Sequence, residues 1–272
     1  MEFQSRYTAH QPDSEGFIHY SDAENNVWQQ LFSRQKKLIV GRAVDDHLAG
    51  LDALQLTEEC IPQLPEINQR LASLTGWEVA PVAALISARA FFELLAARRF
   101  PAATFIRTQE ELNYVKEPDI FHEIFGHCPL LVEPTYADFM QNYAQLVLTL
   151  PETDWPLLQR LFWFTVEFGL IETPQGLRAY GGGILSSVTE TVYCVESAIP
   201  LRIFFDPLAA LRTPYRIDRL QNAYFVIKDF AQLYAMTQAN LPDILAQARS
   251  LGEFPALFSI ESLSPNIHIH AC

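Results

Sequence analysis

The sequence contains no apolar run long enough to cross a membrane, which takes about 20 consecutive residues, and residues 1–6 lack the basic segment and apolar stretch of a secretory signal. Positive charge is also scarce, with 19 Lys and Arg against 32 Asp and Glu and a formal net charge of −13. Because nucleic acids and anionic membranes are bound mainly through Lys and Arg, neither is expected as a partner. We expect a cytoplasmic protein.

Cysteine is rare as well. The four cysteines, Cys60, Cys128, Cys194 and Cys272, lie far apart in the sequence and form no C-x-x-C pair. This spacing excludes a zinc knuckle and a thioredoxin-type motif. A few widely separated cysteines without such a motif are typical of a reducing compartment.

Apolar side chains are abundant, at 49% of the residues with 19 Phe, which suffices for a large core and an aromatic-lined pocket. They recur at helical spacing, as at Trp28, Leu31 and Phe32, whereas strand-like stretches are few. The predicted fold is mainly α with a few short β-strands, in a single compact domain over residues 22–272 that follows an extended arm at 1–21. Further helices are predicted at 135–149, 154–169, 187–198, 207–211 and 239–250, and strands at 177–180, 203–205 and 267–270.

Residues 117–129, EPDIFHEIFGHCP, place two histidines and two acids on a helix that is predicted to run from Pro118 to Pro129. His122 and His127 are five residues apart, or about 140° around an α-helix, whereas the histidines of the zinc-protease motif H-E-x-x-H are about 40° apart. Both imidazoles could reach one metal if the helix loosens near Gly126 and Pro129. The spacing therefore disfavours a zinc protease without excluding a metal.

A third ligand is predicted at Glu167, the only charged residue in the apolar run 162–170. An unpaired buried carboxylate costs several kcal/mol, and a metal would compensate it. Two histidines and one carboxylate are the ligands of non-haem Fe(II) oxygenases, although zinc accepts the same set. The alternative is that both histidines are hydrogen-bonded core residues and that Glu167 pairs with an arginine.

At this point the sequence closely resembles the pterin-dependent aromatic amino acid hydroxylases. Their metal segment reads E-P-D-x-x-H-E-x-x-G-H-x-P, as residues 117–129 do here, and residues 163–170 (WFTVEFGL) and 179–187 (AYGGGILSS) match two further blocks of the family in order and spacing. The resemblance implies the catalytic-domain fold of that family. It also implies that Fe(II) is bound by His122, His127 and Glu167, and that tetrahydrobiopterin and O2 meet there.

The resemblance implies roles for further residues. Arg107 would hold the carboxylate of the amino acid substrate, and Asp119 would orient it. Sequence context alone favours a surface ion pair for Arg107, and only the spacing shared with the family favours the substrate role. Glu123 and Trp163 would be catalytic. The substrate would be surrounded by Tyr114, Pro118, Trp163, Gly183 and Ser186, and the pterin by Leu85, Ile86, Phe91 and Glu123.

The short form of the chain resembles the bacterial members that hydroxylate L-phenylalanine to L-tyrosine, and it implies a monomer or a small homo-oligomer. Tyrosine and tryptophan hydroxylases of the same family are the main alternatives, because the ring-selecting residues are not diagnostic. Outside the family, the alternatives are a zinc hydrolase with Glu123 as general base and a non-catalytic helical binding protein.

Overall fold

The computed structural model describes residues 5–83 and 86–255. In these residues the chain forms a mainly α-helical domain with six short strands, which agrees with the predicted fold class. The helices are α1 (Asp22–Ile39), α2 (Asp45–Ala53), α3 (Leu64–Leu74), α4 (Ala88–Ala96), α5 (Pro134–Thr149), α6 (Trp155–Phe162), α7 (Gly182–Leu185), α8 (Val188–Glu196), α9 (Pro207–Arg212), α10 (Phe230–Gln238) and α11 (Leu241–Leu251). The strands are β1 (Glu78–Val82), β2 (Arg99–Ala103), β3 (Gly169–Thr173), β4 (Gly176–Ala179), β5 (Leu201–Phe204) and β6 (Ala223–Ile227).

Helix α1 shows how the sequence determines an element. Ser21 caps its N-terminus in a reciprocal capping box with Glu24, which satisfies backbone donors that a helix start leaves free. Trp28, Leu31 and Phe32 lie on one face and are at most 1% exposed. The predicted i, i+3, i+4 pattern is thus the buried stripe that fixes α1 to the core.

The strands form two sheets. β1 and β2 pair in parallel, with Glu78 opposite Arg99. The second sheet has the order β4-β3-β6-β5, with β3 antiparallel to β4 and parallel to β6, and with β5 parallel to β6. β6 lies at its centre, and all five of its residues are buried.

Several predicted boundaries were wrong. The helix expected from Pro118 to Pro129 begins at Ile120, and Pro129 does not end it, because residues 128–132 continue as a 3-10 helix. The helix predicted at 154–169 stops at Glu167, and Gly169 already belongs to β3. The predictions also omit α7, α10, β1, β2, β3 and β6. The strand expected at 267–270 lies outside the described residues.

The N-terminal segment packs along one side of the domain. Residues 5–21 contain no helix or strand. Tyr7 stacks on Phe105 at 4.2 Å between ring centroids, and the Thr104 hydroxyl donates to the carbonyl of His10 at 2.8 Å. The segment therefore contacts the stretch that leads from β2 to Arg107. The division of the chain into an arm at 1–21 and a catalytic domain at 22–272 stays a prediction.

The described residues also bear on the membrane and cysteine predictions. Across the described ranges, no helix is both long and apolar enough to span a membrane. Cys60, Cys128 and Cys194 are free thiols, while Cys272 lies outside the described residues.

Candidate metal and substrate site

The two histidines lie on a π-helix that runs over His122–His127. In a π-helix each backbone N–H bonds five residues back, as Cys128 does to the carbonyl of Glu123. The wider turn brings residues five apart onto the same face. The sequence led us to expect a loosened helix end near Gly126 and Pro129. The wider turn includes Gly126 but begins earlier, at His122 itself.

Glu167 is carried by a second π-helix, Trp163–Glu167, which continues α6. The N–H of Phe168 bonds to the carbonyl of Trp163, five residues back, at 2.9 Å. Each of the three candidate ligands therefore comes from a π-helical turn. Such turns are rare and occur often at functional sites.

The three side chains meet. His122 Nε2 lies 3.1 Å from His127 Nε2, and Glu167 Oε2 lies 3.3 Å from His127 Nε2 and 3.7 Å from His122 Nε2. Ligand atoms about 2.1 Å from one ion are separated by about 3.0 Å in octahedral geometry and about 3.4 Å in tetrahedral geometry. The three atoms fit around a single metal ion, and their spacing is compatible with iron or zinc.

A second acid is close by. The potential ligand atoms of His122, Glu123 and His127 all lie within 4.8 Å of one another. Glu167 is the nearer carboxylate, since its oxygen lies within 3.7 Å of both imidazoles. Glu167 is therefore the candidate third ligand, and Glu123 lies next to the three-residue cluster.

The electrostatics separate the two acids. Burial raises the pKa of Glu123 well above its usual range, and the charges of Glu167 and Asp119 raise it further. Burial also raises the pKa of Glu167, but the neighbouring His127 and His122 outweigh this effect and lower it to about 2. Burial lowers the pKa of His122 to about 4, although Glu167 opposes the shift. At neutral pH the site therefore offers a neutral imidazole at His122 and a carboxylate at Glu167, whereas burial and the neighbouring charges favour the uncharged form of Glu123.

The glycine-rich segment predicted to lie beside the substrate packs directly on these ligands. A Cβ at Gly182 would lie 2.4 Å from the His127 ring, and a Cβ at Gly181 would lie 2.3 Å from the carbonyl oxygen of Glu167. Only glycine leaves room for this close approach. Next to it, Ser186 Oγ lies 2.9 Å from His122 Nδ1 and donates to the carbonyl of Gly182 at 2.8 Å.

Arg107 and Asp119 form a buried, bidentate ion pair. Arg107 Nε and Nη2 donate to the two carboxylate oxygens at 2.8 Å each, and the Arg107 backbone N–H donates to Asp119 Oδ2 at 2.9 Å. Asp119 is fully buried and Arg107 is 6% exposed. The sequence alone also allowed a surface ion pair for Arg107, and burial of both partners contradicts that alternative.

A cavity of about 510 Å³ opens onto this cluster. Of the predicted residues, those that line it are Arg107, Tyr114, Pro118, His122, Trp163, Glu167, Gly183 and Ser186. Asp119 lies behind Arg107. The cavity is large enough for an amino acid with an aromatic side chain.

Part of the cavity wall was not predicted from the sequence. This part includes Phe168, Glu190 and the segment 217–221. Phe168 stacks on Trp163 at 4.5 Å, and Trp163 also stacks on Tyr215 at 4.4 Å. Phe168 was adjacent to a predicted ligand and could have been found on that ground, whereas segment 217–221 carries no recognisable motif.

The predicted pterin residues are only partly described. Leu85 lies outside the described residues, and Ile86 is partly buried. Phe91 lies on α4 and makes edge contacts with Phe92 and with Phe162, the residue before Trp163. This contact places Phe91 next to the start of the second π-helix.

Comparison with known proteins agrees with the predicted resemblance and fold. A family model described as biopterin-dependent aromatic amino acid hydroxylase matches residues 3–246. The phenylalanine-4-hydroxylase of Pseudomonas aeruginosa is 53% identical over 254 residues, which cover 93% of this chain and 97% of that protein.

Solved structures give the same result. A structure of phenylalanine hydroxylase from Legionella pneumophila has a TM-score of 0.90 at 63% identity and covers 91% of this chain and 98% of that chain. Two structures of the Chromobacterium violaceum phenylalanine hydroxylase, one with bound oxidised Fe(III) and one bound to cobalt, have TM-scores of 0.89 and 0.88 at 39% identity. They cover 96% of this chain and 93% and 95% of those chains.

Proposed function

The chain belongs to the biopterin-dependent aromatic amino acid hydroxylase family, and from this premise we propose that it is a phenylalanine 4-monooxygenase that converts L-phenylalanine to L-tyrosine with O2 and tetrahydrobiopterin. One observation carries the proposal: His122, His127 and Glu167 form a cluster with ligand atoms 3.1–3.7 Å apart, and two of them, His122 and Glu167, line a cavity with an arginine that is fixed by a buried aspartate. The relatives named as phenylalanine-4-hydroxylases support phenylalanine as the substrate.

We propose that His122, His127 and Glu167 hold Fe(II). The donor set fits, because His122 is neutral at physiological pH and Glu167 stays ionised although it is buried. Bound iron, with the tetrahydropterin as electron donor, supplies the activation of O2 that transfers one oxygen atom to the aromatic ring and leaves the other to be reduced to water. Zinc has no redox chemistry and could not support this reaction.

The amino acid would be held at both ends. Arg107 has two of its donors on Asp119 and would bind the substrate carboxylate with the remaining ones, a charge-assisted contact of fixed direction. Pro118, Trp163, Gly183 and Ser186 would enclose the remainder of the substrate, with Tyr114 at the exposed mouth of the cavity. This arrangement would point the ring towards the metal ligands.

Glu123 would act on the pterin side. Burial raises the pKa of Glu123 and so favours its uncharged form, in which the carboxyl group can donate a hydrogen bond to the pterin as well as accept one. Leu85, Ile86 and Phe91 would form the apolar part of the pterin site. The apolar walls would exclude water and so limit loss of the oxidant to side reactions.

Tyrosine or tryptophan hydroxylation is the alternative that remains within the family. A zinc hydrolase is disfavoured, because the matching family model and the curated relatives are hydroxylases. We also propose that the protein acts in the cytoplasm as a monomer or a small homo-oligomer, with residues 1–21 as an arm and residues 22–272 as the catalytic domain.

The test is an assay of purified protein reconstituted with Fe(II) or with Zn(II), a tetrahydropterin and O2. Phenylalanine, tyrosine and tryptophan are offered in parallel, and the products are separated by chromatography. We expect tyrosine from phenylalanine with Fe(II) only. Hydroxylation of tyrosine or tryptophan instead would mean that phenylalanine is not the substrate. Protein that binds iron and forms no product from any of the three amino acids would contradict the hydroxylase proposal.

A further inference from the structure

Trp163 lies at the cavity wall, four residues before Glu167, and its indole edge makes a single directed contact. The indole Nε1 donates to Gln221 Oε1 at 3.2 Å. Phe168 and Tyr215 stack on the indole ring but leave its rotation in the ring plane undefined. The hydrogen bond to Gln221 therefore sets the direction of the indole.

The orientation of the Gln221 amide is itself determined. Its Nε2 donates to the carbonyl of Arg216 at 2.7 Å and is 3.4 Å from the carbonyl of Arg219. Since both partners are acceptors, the amide nitrogen must face them, and the oxygen must face Trp163. Gln221 thus joins the indole to residues 216–219, of which 217–219 line the same cavity.

A buried carboxylate holds Gln221 from behind. Glu190 Oε1 accepts from the backbone N–H of Gln221 at 3.1 Å, and Glu190 Oε2 accepts from the hydroxyl of Tyr224. Glu190 is 6% exposed, and Gln221 is 4% exposed. Burial raises the pKa of Glu190 to about 7. Its two oxygens are nevertheless engaged, one by the backbone N–H of Gln221 and one by the hydroxyl of Tyr224.

We infer that Gln221, anchored by Glu190, is a positioning residue that fixes the indole of Trp163 in the wall of the substrate cavity. The inference rests on the proposed function, because it assigns the cavity to the amino acid substrate. Neither Gln221 nor Glu190 needs to contact the reacting atoms. Their effect would reach the substrate ring through the indole.

The experiment compares Gln221→Met, which keeps the length of the side chain and removes both sets of hydrogen bonds, with the wild type. Loss of one neutral hydrogen bond corresponds to about a twofold to tenfold change in affinity. We expect KM for L-phenylalanine to rise by that factor while KM for the tetrahydropterin stays unchanged. Gln63→Met is the matched control, because Gln63 bonds to the backbone of Ile18 and does not line the cavity.

A double-mutant cycle with Trp163→Phe separates positioning from general damage. If Gln221 acts through the indole N–H, its replacement adds little once Trp163 is Phe. Fully additive effects would overturn the inference.

The role of Glu190 is tested with two variants. Glu190→Gln should retain nearly wild-type KM, because an amide oxygen still accepts from the Gln221 N–H, whereas Glu190→Leu should behave like Gln221→Met.

A spectroscopic readout keeps this test independent of activity. In the full-length chain prepared without iron and labelled with ¹⁵N-tryptophan, the Trp163 indole signal is identified by its loss in Trp163→Phe. We expect Gln221→Met to shift that signal and Gln63→Met to leave it in place. An unshifted signal overturns the inference even if the chain hydroxylates phenylalanine, and a shifted signal supports it even if another amino acid proves to be the substrate. Should Gln221→Met not fold, Gln221→Asn, which is one methylene shorter, is measured against the same criteria.

Discussion

Asp119 accepts hydrogen bonds from Arg107 and from the start of the histidine-bearing helix at the same time. Its Oδ1 accepts from Arg107 Nη2 at 2.8 Å and from the backbone N–H of His122 at 3.1 Å. One carboxylate thereby fixes the proposed substrate clamp relative to the first proposed metal ligand. Burial raises the pKa of Asp119, but the charge and hydrogen bonds of Arg107 lower it below the usual range, so Asp119 stays ionised.

Asp119→Asn should lower the stability of the protein and weaken the binding of the amino acid substrate by Arg107. Removing one charge of a buried pair costs about 3–5 kcal/mol of stability, and we expect KM for L-phenylalanine to rise about tenfold or more because Arg107 loses its fixed direction. Asp138→Asn, which removes the partner of Arg98 at a half-exposed position, is the control for a surface pair. Urea denaturation and steady-state kinetics give both values. A change confined to pterin kinetics would assign Arg107 to the other substrate.

His122→Ala, His127→Ala and Glu167→Ala should each abolish stoichiometric iron binding. Each change removes one of three ligand atoms that lie within 3.7 Å of one another. Iron content is measured by elemental analysis of purified protein, with the exposed His19→Ala as control. Near-wild-type iron in any of the three variants removes that residue from the ligand set.

Gly182→Ala should bind iron about 10- to 100-fold more weakly, because the added methyl group would displace the His127 ring from which it would lie 2.4 Å. Gly41→Ala is the control. It introduces backbone strain of about 1 kcal/mol at a φ of 71°, but a Cβ there meets nothing within 4 Å. Equal iron affinity in Gly182→Ala and wild type would show that α7 does not constrain the ligand.

The stability of the protein should depend on pH through Glu190. Its pKa is raised to about 7 in the folded state from the ordinary 4.5, so the folded chain keeps a proton that the unfolded chain has released. The stabilisation is complete below about pH 4.5 and is lost as the pH rises through 7. Relative to Glu190→Gln, the wild type should lose on the order of 3 kcal/mol across this range. The free energies of unfolding are measured by urea denaturation between pH 4.5 and 7.5. The same pH dependence in the wild type and in Glu190→Gln would contradict the assignment.

The sequence predicts which side chains meet in the site better than it predicts the backbone that carries them. Residue type and spacing lead to His122, His127 and Glu167, and helical periodicity leads to most of the helices. The five-residue spacing of the histidines is unfavourable on an α-helix, and it becomes favourable only on a π-helix. The π-helical turn was not predicted, because it depends on tertiary packing that a single sequence does not display.

Other omissions have local causes. Pro81 and Pro101 make residues 78–82 and 99–103 poor strand candidates, yet they occur in a two-stranded sheet, where each strand is an edge and a missing N–H is tolerated. Gln221 belongs to a wall segment without periodicity or motif. Its importance follows only from its contacts with Trp163 and Glu190 in the folded chain.

The most direct test of the proposed function is the source of the oxygen atom in the product. Protein reconstituted with Fe(II) is supplied with L-phenylalanine, a tetrahydropterin and ¹⁸O2 in ordinary water, and the tyrosine is analysed by mass spectrometry. A pterin-dependent monooxygenase at this site predicts one ¹⁸O atom in each tyrosine and no tyrosine from Glu167→Ala. Tyrosine that carries oxygen from water, or labelled product that persists in Glu167→Ala, would contradict it.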